Sequence, residues 1–218
     1  MVRRLTTSVI LVLSMVAAAP LAVGQAAAPS AAQGSAPAPP TVTSRVRPVD
    51  AHGNLLLSYR STNSRSGAHC SSGSEAIGAA AYRCMAGNTV YDPCWAAANR
   101  SYVYCMSAPW SFDVVQLHVT KGYNNAGFSS HLSKVPWGLQ LANGQLCKHV
   151  QGATSKVAGK AITYRCQRVK YVLVGQIDKH HRAWRIRKAR STSGGHYKLD
   201  GWVTITKSWL GRSSLKGK

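Results

Sequence analysis

Acidic residues are almost missing from this chain: six Asp and Glu stand against 27 Lys and Arg in 218 residues, a formal charge of +21. That scarcity narrows the enzymes the chain can be, because glycoside hydrolysis needs two carboxylates and few are on offer. After Asp50 there are only Glu75, Asp92, Asp113, Asp178 and Asp200. Asp92 precedes Pro93, a pairing expected of a structural turn. No Cys-x-x-Cys pair occurs, which removes the commonest zinc-ligand spacing. No nucleophile elbow is present either; Ser107 lies before Ala108-Pro109, and Ser129 and Ser130 simply precede His131. Helical periodicity is lacking as well. The best helix candidate, Glu75 to Tyr82, carries Gly78, which costs a helix about 1 kcal/mol, and it serves equally as a loop entering a strand.

What is present begins with an export signal. Arg3 and Arg4 precede an apolar stretch from Val9 to Val23, and Ala22-Val-Gly24 before Gln25 fits a cleavage site. The stretch is shorter than the roughly 20 residues a spanning helix needs, and Pro20 interrupts it. No later apolar run is long enough to span, so no stable membrane span is expected after cleavage. Residues 25–48 are nearly all Ala, Pro, Ser, Gln and Gly before Arg45, a composition that suits a disordered linker. The expected organisation is therefore a signal peptide at 1–24, a linker at 25–48, a single β-rich domain at 50–211 and a basic tail at 212–218.

Within that domain several runs alternate with period two. Val115, Leu117 and Val119 share a face, as do Trp137, Leu139 and Leu141, and Ile162, Tyr164 and Cys166. The denser run from Lys170 to Val174 suits a strand covered on both sides, and the run from Trp202 to Thr206 has strand composition. The fold class expected is all-β: a single sandwich or small barrel of short antiparallel strands. Tyr82-Arg-Cys84 recurs as Tyr164-Arg-Cys166, a faint internal echo.

Six cysteines, Cys70, Cys84, Cys94, Cys105, Cys147 and Cys166, follow the export signal. An even number in an exported chain points to disulfides, because thiols oxidise in that compartment. Three bridges can be drawn in fifteen ways. Local spacing favours Cys70–Cys84, Cys94–Cys105 and Cys147–Cys166, each closing a short excursion. No metal and no cofactor is expected.

The residues Tyr82-Arg-Cys-Met-Ala-Gly-Asn88, Asp92-Pro-Cys-Trp95, Val103-Tyr-Cys105 and the run from Trp137 to Cys147 resemble a known group. They are similar to small exported, cysteine-containing domains of uncharacterised function from high-GC Gram-positive bacteria. The resemblance covers most of residues 70–210 and implies export and the domain limits; it brings no activity with it.

Positive charge is concentrated late. Removing Arg3 and Arg4 leaves 25 basic against 6 acidic residues, or +19. From Gln145 onward, 17 Lys and Arg face only Asp178 and Asp200, or +15. The densest run extends from Lys179 to Arg190, and as a strand it points Trp184 and Ile186 one way and Arg185 and Arg187 the other. Such charge attracts polyanions. Arg182, Arg185, Arg187, Lys188 and Arg190 are the expected polyanion-binding residues, and cell-wall polymer, polysaccharide and nucleic acid the expected extracellular partners. A secreted or loosely wall-associated location follows. The alternative is a secreted hydrolase, a nuclease or wall hydrolase, with a histidine such as His118, His180 or His181 as general acid or base. Binding is favoured over turnover, since no catalytic motif is present.

Overall fold

The chain wraps two small β-barrels side by side. The computed structural model describes residues 37–76, 81–124, 135–150, 154–167, 170–193 and 196–212; the proposed signal peptide, the first half of the linker and nearly all of the basic tail lie outside them. The described residues contain no helix.

Among the described residues thirteen strands follow in chain order. β1 is Val42–Val46, and the first barrel is built from β2 (Arg60–Ser71), β3 (Tyr82–Ala86), β4 (Thr89–Ala96), β5 (Tyr102–Met106) and β6 (Asp113–Asn124). These five form an antiparallel meander closed by a parallel pairing of β2 with β6. Next come β7 (Gly138–Leu141), β8 (Leu146–His149), β9 (Lys156–Val157), β10 (Lys160–Cys166), β11 (Tyr171–Asp178), β12 (Arg185–Ser191) and β13 (Tyr197–Gly211). The order β13-β12-β11-β10-β8-β7 returns to β13, giving a six-stranded antiparallel ring. The all-β expectation of a sandwich or small barrel holds, as small barrels, and there are two of them where one was expected. Two pairings depart from the antiparallel pattern: β2 with β6, and β1 with the end of β13. The second also shortens the linker, because residues 42–46 find ladder partners at 207–211 that their composition does not announce.

Each barrel fills its own interior. In the first, every strand contributes, with Ala68, Cys70, Cys84, Ala86, Cys94, Val103, Cys105 and Leu117 buried around Tyr82. A five-stranded ring is narrow, so small side chains and disulfide sulfurs fit where Phe or Trp would not. The second barrel holds Leu139, Leu141, Cys147, Tyr164, Leu173, Ile186 and Ile205. All three bridges join directly opposed residues of neighbouring strands: Cys70–Cys84, Cys94–Cys105 and Cys147–Cys166. This is the locally favoured pairing.

One face expectation fails in part. Ile162 does not share a side with Tyr164, because the register against β11 shifts between them, with Ile162 opposite Val174 and Tyr164 opposite Leu173. The extra residue, Thr163, forms a bulge that reverses the phase. Ile162 therefore joins Val157, Val172, Val174 and Ala189 in an outer cluster, whereas Tyr164 enters the barrel. That outer cover explains why Val172, Leu173 and Val174 are all buried, as a strand with both faces covered requires.

The barrels meet through Trp95, Met106 and Val114 of the first and Trp137 at the entrance to the second, with Trp95 and Trp137 rings 6.4 Å apart. Trp110 packs on Trp209 at 5.5 Å beside them. Gly138 is needed here: a methyl group on it would overlap the Pro109 ring and press on Trp110.

Candidate functional site

The basic run folds as the strand phase requires, with Ile186 in the barrel core and Arg185 and Arg187 on the opposite face. Arg187 is directly across the ladder from Trp202. The Arg185 and Arg187 guanidiniums each lie 4.8 Å from the centre of the Trp202 ring. Trp202 is 42% exposed, unlike the core tryptophans Trp95, Trp137 and Trp209.

The five expected residues do not form one cluster. Arg182 sits in the preceding turn, where its carbonyl accepts a hydrogen bond from the Thr41 amide at 3.2 Å. The Thr41 hydroxyl accepts from the Trp184 amide at 2.7 Å and donates to the Ile205 carbonyl at 2.6 Å, pinning this turn to β13. Lys188 and Arg190 have the parity of Ile186, so they occupy the other face from Arg185 and Arg187. Both reach Asp200 at 3.1 Å. Arg185 donates to Asp178 at 2.9 Å, and this bond, aided by the His180 amide, holds the Asp178 carboxyl below its usual range. Against these five cations stand two carboxylates, so the region keeps three positive charges in excess. Lys179 adds another, 4.5 Å over the Trp184 ring.

Sequence reasoning missed Trp202, which it read only as the start of a run with strand composition. The one sign in the sequence is Gly201 beside it; in the structure that glycine adopts φ +83°, and the ladder shifts register there, between the Arg187–Trp202 and Ala189–Leu199 pairs. A bulge at a glycine in the left-handed region turns the neighbouring side chain away from its expected neighbours.

A second polar site lies between the barrels, and the sequence left it unnoticed. Asp92 is not in a turn; it belongs to β4 and is 8% exposed. Its Oδ1 accepts from the Ser74 hydroxyl at 2.6 Å and the Glu75 amide at 2.9 Å. Lys148 reaches across from β8, its Nζ 3.4 Å from Glu75 Oε2 and donating to the Asp92 carbonyl at 3.2 Å. Burial pushes Glu75 up to about 7 and the charge of Asp92 adds to this, while Lys148 opposes it. Burial likewise raises Asp92 to about 6 against the pull of the Ser74 hydroxyl. These groups border a cavity of about 520 Å³ with Arg83, Ser107, His149 and Arg165. Asp92 Oδ2 and His149 Nδ1 are buried without a hydrogen-bond partner.

The histidines named from sequence lie elsewhere. His118 stacks on Tyr102 at 5.0 Å across β5 and β6. His181 approaches Asp178 at 3.5 Å on the surface, and His180 contributes its amide to the same carboxylate. His131 and Phe128 lie outside the described residues, whereas Tyr123 packs on Tyr82 at 4.8 Å and donates to the Arg100 carbonyl at 2.8 Å. The sulfurs of Cys84, Cys94 and Cys105 cluster within 4.8 Å, but all are in disulfides and offer no thiolate. Comparison of the chain with protein-family models, with curated proteins and with solved structures finds no match.

Proposed function

We propose that this protein is secreted and binds extracellular anionic polymers through the face carrying Arg185, Arg187 and Trp202. One observation carries the reading: two guanidiniums flank a single exposed indole on a rigid strand pair. Arginine pairs with phosphate, sulfate or carboxylate groups, and the indole supplies a platform for a sugar ring or base. Because Arg185 already shares its charge with Asp178, Arg187 is the stronger anchor for an added anion. The remaining basic surface supplies long-range attraction. Three disulfides suit an oxidising environment, and no described helix is long and apolar enough to cross a membrane.

Retention of the folded protein on heparin and on purified cell wall, measured as salt is raised, tests the reading. Retention should exceed that of a neutral control at low salt and fall steeply as salt displaces it. Elution with the control would overturn it. Release of soluble fragments from RNA, DNA or peptidoglycan, abolished by a single histidine substitution, would replace binding with hydrolysis.

A further inference from the structure

Tyr82-Arg-Cys84 and Tyr164-Arg-Cys166 hold the same place in the two barrels. In each, the tyrosine and the cysteine join that barrel's own core, and the cysteine is bridged to the directly opposed residue of the paired strand before it. Alternation sends the arginine between them outward. The two outward arginines, Arg83 and Arg165, come from different barrels and line the same cavity.

The charges around that cavity do not cancel. Arg83, Lys148 and Arg165 face Glu75 and Asp92, which leaves one positive charge in excess. Lys148 is engaged by Glu75 and by the Asp92 carbonyl, and the charge of Arg83 acts on both carboxylates. Arg165 is exposed, and among the described residues no carboxylate lies within salt-bridge reach of it. Asp92, more than nine-tenths buried with Oδ2 unpartnered, forms part of the wall. The remaining lining mixes Tyr91, Met106, Val115 and Val150 with the Ser107 hydroxyl.

A ligand suited to this lining has one anionic group and a hydroxylated body with apolar faces. Guanidinium forks take carboxylate and phosphate bidentately. A bare inorganic dianion would meet the Glu75 and Asp92 charges and leave the apolar walls unfilled. We propose that the inter-barrel cavity binds one anionic sugar unit, a sugar carboxylate or sugar phosphate, with its charged group between Arg83 and Arg165. The site is separate from the Trp202 face and its binding is measured separately. As pH falls, Glu75 and Asp92 take up protons and oppose the three cations less, while burial holds the His149 imidazole below its ordinary range and keeps it neutral. Binding therefore tightens with mild acidification.

Calorimetric or ligand-observed NMR titration of the intact protein with glucuronate, glucose 6-phosphate, glucose and inorganic phosphate tests this. Saturable binding of either anionic sugar supports the proposal, and which one binds tells a sugar acid from a sugar phosphate. Glucose and inorganic phosphate should each bind at least about tenfold more weakly, the worth of one charge-assisted contact or a good hydrogen-bonded body. Arg165→Ala, at an exposed position, should keep the fold and weaken the anionic sugar by about tenfold. Trp202→Ala should leave that affinity unchanged. Absence of saturable binding by both anionic sugars overturns the proposal, as does inorganic phosphate or glucose matching them, or an Arg165→Ala protein that binds as well as the parent.

Discussion

Arg187 and Trp202 face each other across the β12–β13 ladder, with the guanidinium 4.8 Å from the indole ring centre. Because both sit on rigid neighbouring strands, the pair needs little ordering when a ligand arrives, and the two side chains contribute in distinguishable ways.

Arg187→Ala should weaken heparin binding and lower the slope of log affinity against log salt by about one, since one phosphate-like contact is lost. Trp202→Ala should weaken binding with the slope nearly unchanged, because the indole carries no charge. Its loss removes stacking worth about 1–3 kcal/mol per base or ring. Salt-gradient elution of both variants beside the parent separates the two effects; equal slopes in Arg187→Ala and the parent would count against a direct contact.

The buried carboxylates set an unusual pH dependence. Glu75 stands at about 7 when folded against an ordinary 4.5, and Asp92 at about 6 against 3.8. Between those values the folded protein binds more protons than the unfolded chain, so stability rises as pH falls from about 7 toward 4.5 and declines again as pH climbs through about 7. Asp113, Asp178 and Asp200 are shifted the other way by Arg60, Arg185 and Lys188, so their contribution is lost as pH falls below the ordinary carboxylate range. Thermal midpoints measured across pH should peak on the acid side of neutrality. Glu75→Gln should flatten the rise on that side.

Gly138→Ala should destabilise by about 1–3 kcal/mol, because the added methyl overlaps Pro109 at the contact between the barrels and the core must shift to accept it. Urea denaturation followed by tryptophan fluorescence reports on this region directly, since Trp95, Trp110, Trp137 and Trp209 surround it. An unchanged midpoint would mean the loop moves freely.

Replacing Cys147 and Cys166 together by serine should cost about 3 kcal/mol or somewhat more, through restored freedom of the unfolded chain and a polar group placed in the second barrel's core at position 147, with a second at its edge at position 166. Differential scanning calorimetry of the double variant checks this.

Strand identity was legible because period-two alternation is a local property: Leu117, Tyr164, Leu173 and Ile186 all enter cores in the strands the pattern marked. Disulfide partners were legible for a related reason, as each pair closes a hairpin-sized excursion between strands near in sequence. The division of Arg185 and Arg187 from Lys188 and Arg190 was less so, since alternation tells sides apart but not what covers each side. Here Asp200 gathers one pair and Trp202 the other.

The sequence by itself determined the β character, the cysteine frame and the concentration of charge toward the C-terminal end, because composition, spacing and alternation act over a few residues. Only the tertiary structure decided that the strands close into two barrels, since β2 meets β6 and β13 meets β7 through ladders between distant segments. Packing of the two closed barrels against each other brings Arg83 to Arg165, and Glu75 and Asp92 to Lys148, around one cavity. Two scattered tripeptides and a few isolated acids acquire a shared electrostatic environment there, and no local pattern in the chain encodes that proximity.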